Sequence, residues 1–216
     1  MSEVLLKIEN LNKSFGITHA NVNINFELKA GEVRGLAGEN GSGKSTLLSQ
    51  IAGLYGSDSG KMYIRGEEYS PKNPVDANNH KVAMVVQELG MIGSLPASIN
   101  IYLGKTKKFI KMNDLQDQAN AVSDRWGLPR VNLKRMAGSM NIENRKMVEL
   151  IRALAADPDI LILDEVTQSL SHDNRKVLYN LIEKFKGEGR SIILISHDLD
   201  EAIQLTDSIS ILRDGE

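Results

Sequence analysis

The sequence predicts an α/β fold: a mainly parallel sheet covered by helices, with an antiparallel β subdomain at the N-terminal end and an inserted helical lobe. Three observations carry that prediction. Short apolar runs with no polar break recur at Val82 to Val86, Ile160 to Leu163 and Ile192 to Ile195, as expected of strands buried on both faces. Between them lie apolar stripes with helical spacing, and strand alternating with helix is the pattern of a parallel sheet. Nearer the start, Val22, Ile24, Phe26 and Leu28 alternate with polar residues, the two-residue period of a half-buried strand.

Taken in order, Val33 to Ala37 reads as a strand that runs into a glycine-rich loop, and Lys44 to Ala52 reads as a helix with Leu47, Leu48 and Ile51 on one face. The long stretch after the Val82 strand is helical in pattern. Leu115, Ala119, Val122 and Trp126 share one face, with Asn113 or Asp114 as the expected N-cap. Met147, Leu150, Ile151 and Leu154 form a second stripe, and Val177, Leu178, Leu181, Ile182 and Phe185 a third, closed by Gly187 and Gly189. A chain of 216 residues without a repeat suits one domain. Within 1–216 the antiparallel β lobe is expected mostly within 1–80 and the helical lobe at about 90–156, with the core made from the remainder.

Composition removes several function classes. With no cysteine, disulfides and thiolate metal sites are excluded. A hydrophobic share of 41% with 25% charged residues is that of a globular protein. A net charge of −2 lacks the basic footprint of a nucleic-acid binder, so no nucleic-acid partner is expected. The longest aliphatic run, Val82 to Val86, falls far short of the ~20 residues that cross a bilayer. Met1 to Lys7 does not read as a secretory signal. The expected location is the cytosol.

Chemistry concentrates at the predicted strand ends. Gly38-Glu39-Asn40-Gly41-Ser42-Gly43-Lys44-Ser45 fits GxxxxGK[ST] between a strand and a helix, the phosphate-binding loop of a P-loop NTPase core. Glycines let successive backbone N–H groups turn inward on a phosphate, and the following helix adds its positive end. Lys44 would reach the β and γ phosphates, and the Ser45 hydroxyl would take one position on Mg²⁺. Gly104-Lys105-Thr106 repeats the last three letters, but Ile99 stands where the first glycine is needed. Asp164 and Glu165 end the Ile160 strand. Alone, such a pair reads as a turn or helix cap; beside a phosphate loop, Asp164 suits the Mg²⁺ shell and Glu165 the polarisation of attacking water. His197 and Gln87 end neighbouring strands, where an imidazole would reach the γ phosphate and an amide would reach Mg²⁺ or the water.

These features, in this order, resemble the ATP-binding domains of ABC transporters over essentially the whole chain. Gly38-Glu39-Asn40-Gly41, Ala83 to Leu89, Met147-Val148-Glu149-Leu150 and Ile211 to Gly215 look like the ATPases of bacterial sugar importers, ribose- and galactose-type subunits above all. The resemblance implies ATP and Mg²⁺ as cofactors, with Phe15 stacking on adenine and Gly38, Glu39, Asn40, Gly41, Ser42, Gly43, Lys44, Ser45 and Thr46 holding the nucleotide. It implies Ser45, Gln87 and Asp164 on the metal, and Glu165, His197 and Gln87 in catalysis. For Phe15 the competing reading is a buried core ring. The family pattern is two such domains in one polypeptide, which makes this chain the first half of a longer tandem protein. Implied partners are the second ATP-binding domain, membrane-spanning permease subunits and, indirectly, a periplasmic or extracellular solute-binding protein. The implied place is the cytoplasmic face of the membrane.

Departures from the family pattern matter as well. The signature, Leu-Ser-Gly-Gly-Gln or a close form, aligns on Met140-Asn141-Ile142-Glu143-Asn144. In a head-to-tail pair this segment faces the partner's γ phosphate. Two like charges at about 4 Å repel by roughly 4 kcal/mol at an effective dielectric near 20, so Glu143 would impair the partner's site unless it turns aside. Val166 stands where Pro is usual, and Ser171 where many members have Asp. Lys105, Lys107, Lys108 and Lys111 read as a solvated face rather than a lipid or permease contact. Competing functions are a non-transport ABC-type ATPase, which would bring a coiled-coil insertion or basic arm, a kinase with the same loop, and an ATP-binding half with negligible turnover alone.

Overall fold

The computed structural model of the chain describes residues 3–86, 90–104, 111–196 and 198–216. A hairpin of two long strands, β1 (Val4–Phe15) and β2 (Thr18–Lys29), comes first. Then follow β3 (Val33–Ala37), α1 (Lys44–Ile51), β4 (Ser59–Ile64), β5 (Glu67–Tyr69), α2 (Pro74–Asn79) and β6 (Val82–Val85). Helices α3 (Ala97–Tyr102), α4 (Met112–Trp126) and α5 (Ile142–Leu154) lead to β7 (Ile160–Asp164). The chain continues with α6 (His172–Gly187), β8 (Ser191–Ile195), α7 (Leu199–Leu205) and β9 (Ser208–Ile211). Short 3₁₀ turns lie at Ala137–Ser139 and Val166–Ser169.

Two sheets result. An antiparallel sheet has the order β2-β1-β4-β5, and a five-stranded sheet the order β6-β7-β8-β3-β9. Every pairing in the second is parallel. The carboxyl ends of β3, β6, β7 and β8 therefore share one edge, where open α/β sheets bind ligands.

Side-chain alternation in the central strands explains their two-sided burial. Leu161, Leu163, Ile192 and Leu194 enter one hydrophobic cluster with α3, α4, α5 and α6. Their neighbours Ile160, Ile162, Ile193 and Ile195 enter the other, with α1 and the antiparallel sheet. The helical stretch thus shares a continuous core with one face of the parallel sheet. In α6, Leu178, Leu181, Ile182 and Phe185 repeat at helical spacing and are fully buried, and the Phe185 ring meets Trp126 of α4 at 5.3 Å between centroids.

Boundaries differ from the sequence expectation in a few places. Helix α4 starts two or three residues early: Lys111 is its N-cap, not Asn113 or Asp114, and Asp114 lies in the first turn, where the helix dipole favours an acid. Helix α6 runs through Gly187, and Gly189 beyond it takes the left-handed conformation at φ 76°. The sequence pattern did not single out β4, β5, α2 or β9. These are short or edge elements, whose polar, exposed positions leave too few apolar residues to show a period. Among the described residues no helix is long and apolar enough to cross a membrane.

Because Phe185 is fully buried in the larger cluster, Phe185→Ala is expected to cost about 3–5 kcal/mol, read as a lower urea midpoint with an unchanged slope.

Candidate functional site

The loop between β3 and α1 is built around two glycines that nothing else can replace. Gly38 has φ 152°, and a Cβ there would lie 2.2 Å from the Leu212 carbonyl oxygen. Gly43 has φ 97°, and a Cβ there would lie 2.2 Å from the Ala20 oxygen. Both the conformation and the close backbone approach exclude a side chain. The loop is also tied from below. Gln50 Nε2 donates to Asn21 Oδ1 at 2.9 Å, and Asn21 Nδ2 donates to the Gly43 carbonyl at 3.2 Å. Asn21 and Gln50 are both buried. Sequence reasoning missed them, because a polar residue inside an amphipathic pattern reads as a solvated one.

Lys44 opens α1 and folds back over the loop, donating to the carbonyls of Gly38 and Glu39, each at 2.8 Å. Its ammonium has three donors, so one remains for an anion. Ser42 is buried with a hydroxyl oxygen that has no hydrogen-bond partner. The loop lines an open cleft of about 420 Å³ whose walls include Thr18, His19, Asn40, Ser45, Thr46 and Glu165. Glu39, Asn40 and Ser45 are exposed.

Across the cleft stands the end of β7. Asp164 is 3% exposed, and its Oδ1 has no hydrogen-bond partner. Burial, and then the Glu165 charge, push its carboxyl above the ordinary value, while the Ser45 hydroxyl, Lys44 and Lys146 pull the other way. An orphaned buried carboxylate oxygen beside a serine hydroxyl fits a divalent cation. Among the described residues no group of three or more His, Asp or Glu side chains converges, so such an ion would complete its shell with water and phosphate oxygens. Glu165 occupies the left-handed region at φ 51° and ψ 34°. A non-glycine residue there stores about 1–3 kcal/mol, held here by the bond from Glu165 N to the Ile195 carbonyl at 3.1 Å. Its carboxylate takes a long 3.4 Å bond from Gln168.

The structure thus brings together the loop residues 38–46, Asp164 and Glu165. Phe15 ends β1 at the rim and is 44% exposed, which overturns the buried-core reading of that ring. Tyr55 meets it edge-on at 5.2 Å between centroids, and the Lys13 ammonium lies 5.5 Å from its centre. Gln87, His197, Lys105, Lys107 and Lys108 lie outside the described residues. Lys111 is exposed at the start of α4.

Two further groups brace the site. Glu201, at 7% exposed, accepts from Thr167 at 2.8 Å and from Tyr179 at 2.6 Å, and also from Ser196. It joins the segments that follow β7 and β8. No motif singles out this glutamate in the sequence. Glu143 departs from its expected position: its Oε1 accepts from Ser171 N at 2.8 Å and Asn174 Nδ2 at 2.7 Å. The carboxylate is turned aside onto the start of α6, and Asn141 caps α5 through the Asn144 N–H. Hydrogen bonds from Ser171 and Asn174 hold the Glu143 carboxyl below its ordinary value.

These two acids predict opposite pH dependence. Asp164→Asn is expected to melt higher than wild type without nucleotide at pH 7. That gap is absent below the ordinary aspartate value of 3.8 and opens as pH rises through the elevated folded value. Glu143→Gln is expected to melt lower than wild type above 4.5, and that gap closes as pH falls through the depressed folded value. Calorimetric melting from pH 3 to pH 8, about 2–4 °C per kcal/mol for a chain of this size, checks both.

With this geometry in place, similarity to known proteins is informative. The family model described as "ABC transporter" matches residues 22–168. A putative ribose/galactose/methyl galactoside import ATP-binding protein of Agrobacterium fabrum is 35% identical over 98% of this chain and 42% of its own length. The L-arabinose transport ATP-binding protein AraG of Geobacillus stearothermophilus is 36% identical over 100% of this chain and 43% of its own. The chain therefore spans less than half the length of these curated relatives. Among solved structures, the dimeric bacterial ABC transporter cassette MJ0796 superposes with a TM-score of 0.86 at 25% identity, covering 98% of this chain and 96% of that one. On the match over 22–168 and on identity across nearly its full length, the chain belongs to the ABC transporter family.

Proposed function

We propose that this chain is the ATP-hydrolysing cassette of a bacterial importer for a monosaccharide, and the N-terminal half of a longer tandem polypeptide. The observation that carries the reading is the facing pair across one cleft: a glycine loop ending in Lys44 and Ser45, and a strand ending in the buried Asp164, whose Oδ1 has no partner, with Glu165 beside it. The monosaccharide and the tandem arrangement are supported by the sugar-import relatives and by their greater length.

In this reading backbone N–H groups of residues 39–43 and the Lys44 ammonium hold the β and γ phosphates. Phe15 stacks against the adenine, with Tyr55 steadying the ring from its edge. Ser45 and Asp164 hold Mg²⁺, which when bound neutralises charge developing on the phosphates. Glu165 orients the attacking water and accepts its proton. Gln87, on Mg²⁺ or the attacking water, and His197, on the γ phosphate, complete the set. The partner surfaces are a second cassette, which closes over the nucleotide, and the permease subunits at the cytoplasmic face of the membrane. With Glu143 turned onto α6, its carboxylate is drawn away from the partner's nucleotide, so the paired site that this segment completes is competent.

Because Glu165 is placed to activate water and Lys44 to bind phosphate, Glu165→Gln is expected to bind ATP with wild-type affinity while turnover falls about 10²–10⁴-fold. Lys44→Ala is expected to lose binding by calorimetry. Undiminished ATP affinity in Lys44→Ala, or full turnover in Glu165→Gln, would overturn the assignment.

A further inference from the structure

Helix α5 carries Lys146, Glu149 and Arg152 at intervals of three, a spacing that keeps neighbouring side chains in reach of one another. Lys146 is 1% exposed. Its Nζ donates to the Val86 carbonyl at 2.7 Å and to Glu149 Oε2 at 3.0 Å. Glu149 Oε1 in turn accepts from Gly90 N at 2.9 Å, and Arg152 Nη1 donates to the Gly90 carbonyl at 3.1 Å. One helix therefore grips the backbone at the end of β6 and again at Gly90. Strand β6, whose end Lys146 grips, pairs in parallel with β7, Val85 facing the Leu163 that precedes Asp164.

A buried Lys–Glu pair is a poor source of stability. Taking both charges out of water costs several kcal/mol, and exchanging such a pair for apolar groups of similar volume is often neutral or stabilising. What the pair supplies is placement. It fixes two backbone points, from positions five and eight residues after the Asn141 cap that begins α5. The Asn141 cap and both contacts lie on one 13-residue helix, joined by its backbone hydrogen bonds.

We propose that Lys146 and Glu149 are positioning residues that register the carboxyl edge of the sheet, at Val86 and Gly90, against α5, so that displacement of α5 is passed to the hydrolytic edge. This rests on the ATPase reading above. Both side chains act through the backbone that they hold in place.

The test uses the full chain with Lys146→Met, Glu149→Gln and the double variant Lys146→Met/Glu149→Leu. It reads thermal melting, affinity for a fluorescent ATP analogue in EDTA, the MgCl₂ concentration giving half-maximal response, and turnover. Single variants, which strand one buried charge, are expected to melt lower, and the double variant to melt at or above wild type. In the double variant, affinity in EDTA stays within about twofold, while the MgCl₂ midpoint rises and kcat falls about tenfold or more, as when the supports of a metal ligand are removed. Loss of a nearby positive charge alone would lower the MgCl₂ midpoint of Lys146→Met. A double variant with wild-type kcat and MgCl₂ midpoint overturns the positioning role, as does recovery of activity in step with stability. A wild type that binds no nucleotide overturns the ATPase reading and this inference with it.

Discussion

Everything functional in this chain depends on one constraint, the parallel direction of all five strands in the β6-β7-β8-β3-β9 sheet. Parallel pairing sends every strand out at the same edge, so residues distant in sequence leave the sheet side by side. Loop 38–43 leaves β3, Asp164 ends β7, and Ser196 follows β8. An antiparallel pair anywhere among β3, β7 and β8 would move one of these groups to the opposite edge. The order matters as much as the direction, because β3 lies between β8 and β9. Leu212, just after β9, thereby reaches the loop closely enough to require glycine at position 38.

That edge stores unfavourable free energy. A carboxylate oxygen is buried without a partner at Asp164, Glu165 is left-handed, and Ser42 has an unsatisfied hydroxyl. Each costs stability in the isolated chain and each suits a site that binds charged groups. The offset comes from the two hydrophobic clusters above and below the sheet, whose central strands are essentially fully buried. Polar braces then hold the strained edge in one geometry. Gln50 and Asn21 do so beneath the loop, Glu201 between the ends of β7 and β8, and Lys146 with Glu149 along α5.

Glu143 and Ser171 are best understood together. Each departs from the family pattern alone in sequence, and in three dimensions they meet, the Ser171 N–H donating to the Glu143 carboxylate. An aspartate at 171 would set a second negative charge against Glu143, whereas serine adds only a hydroxyl. The two departures form one compatible arrangement, in which the carboxylate is bonded to the start of α6.

Much of this protein was legible in its residues because the signals are local. The phosphate loop is a contiguous run whose glycines and lysine announce their roles. The central strands announce burial on both faces through unbroken aliphatic runs, and α5 and α6 through their stripes. Glu165 could be placed by its neighbour Asp164 and the strand before it. What the residues alone left open were contacts between segments far apart in sequence: Asn21 with Gln50, Glu201 with Thr167 and Tyr179, Lys146 with Val86, and the direction of the Glu143 side chain. A buried polar residue carries no pattern of its own; its partner is chosen by which strands and helices become neighbours. Sequence by itself therefore determined the fold class, the loop and the strand-end acids, since each is set by local conformation and periodicity. Only the tertiary structure decided which polar groups brace them, because hydrogen bonds across 22 to 60 residues of chain exist only once the sheet order has brought their ends together.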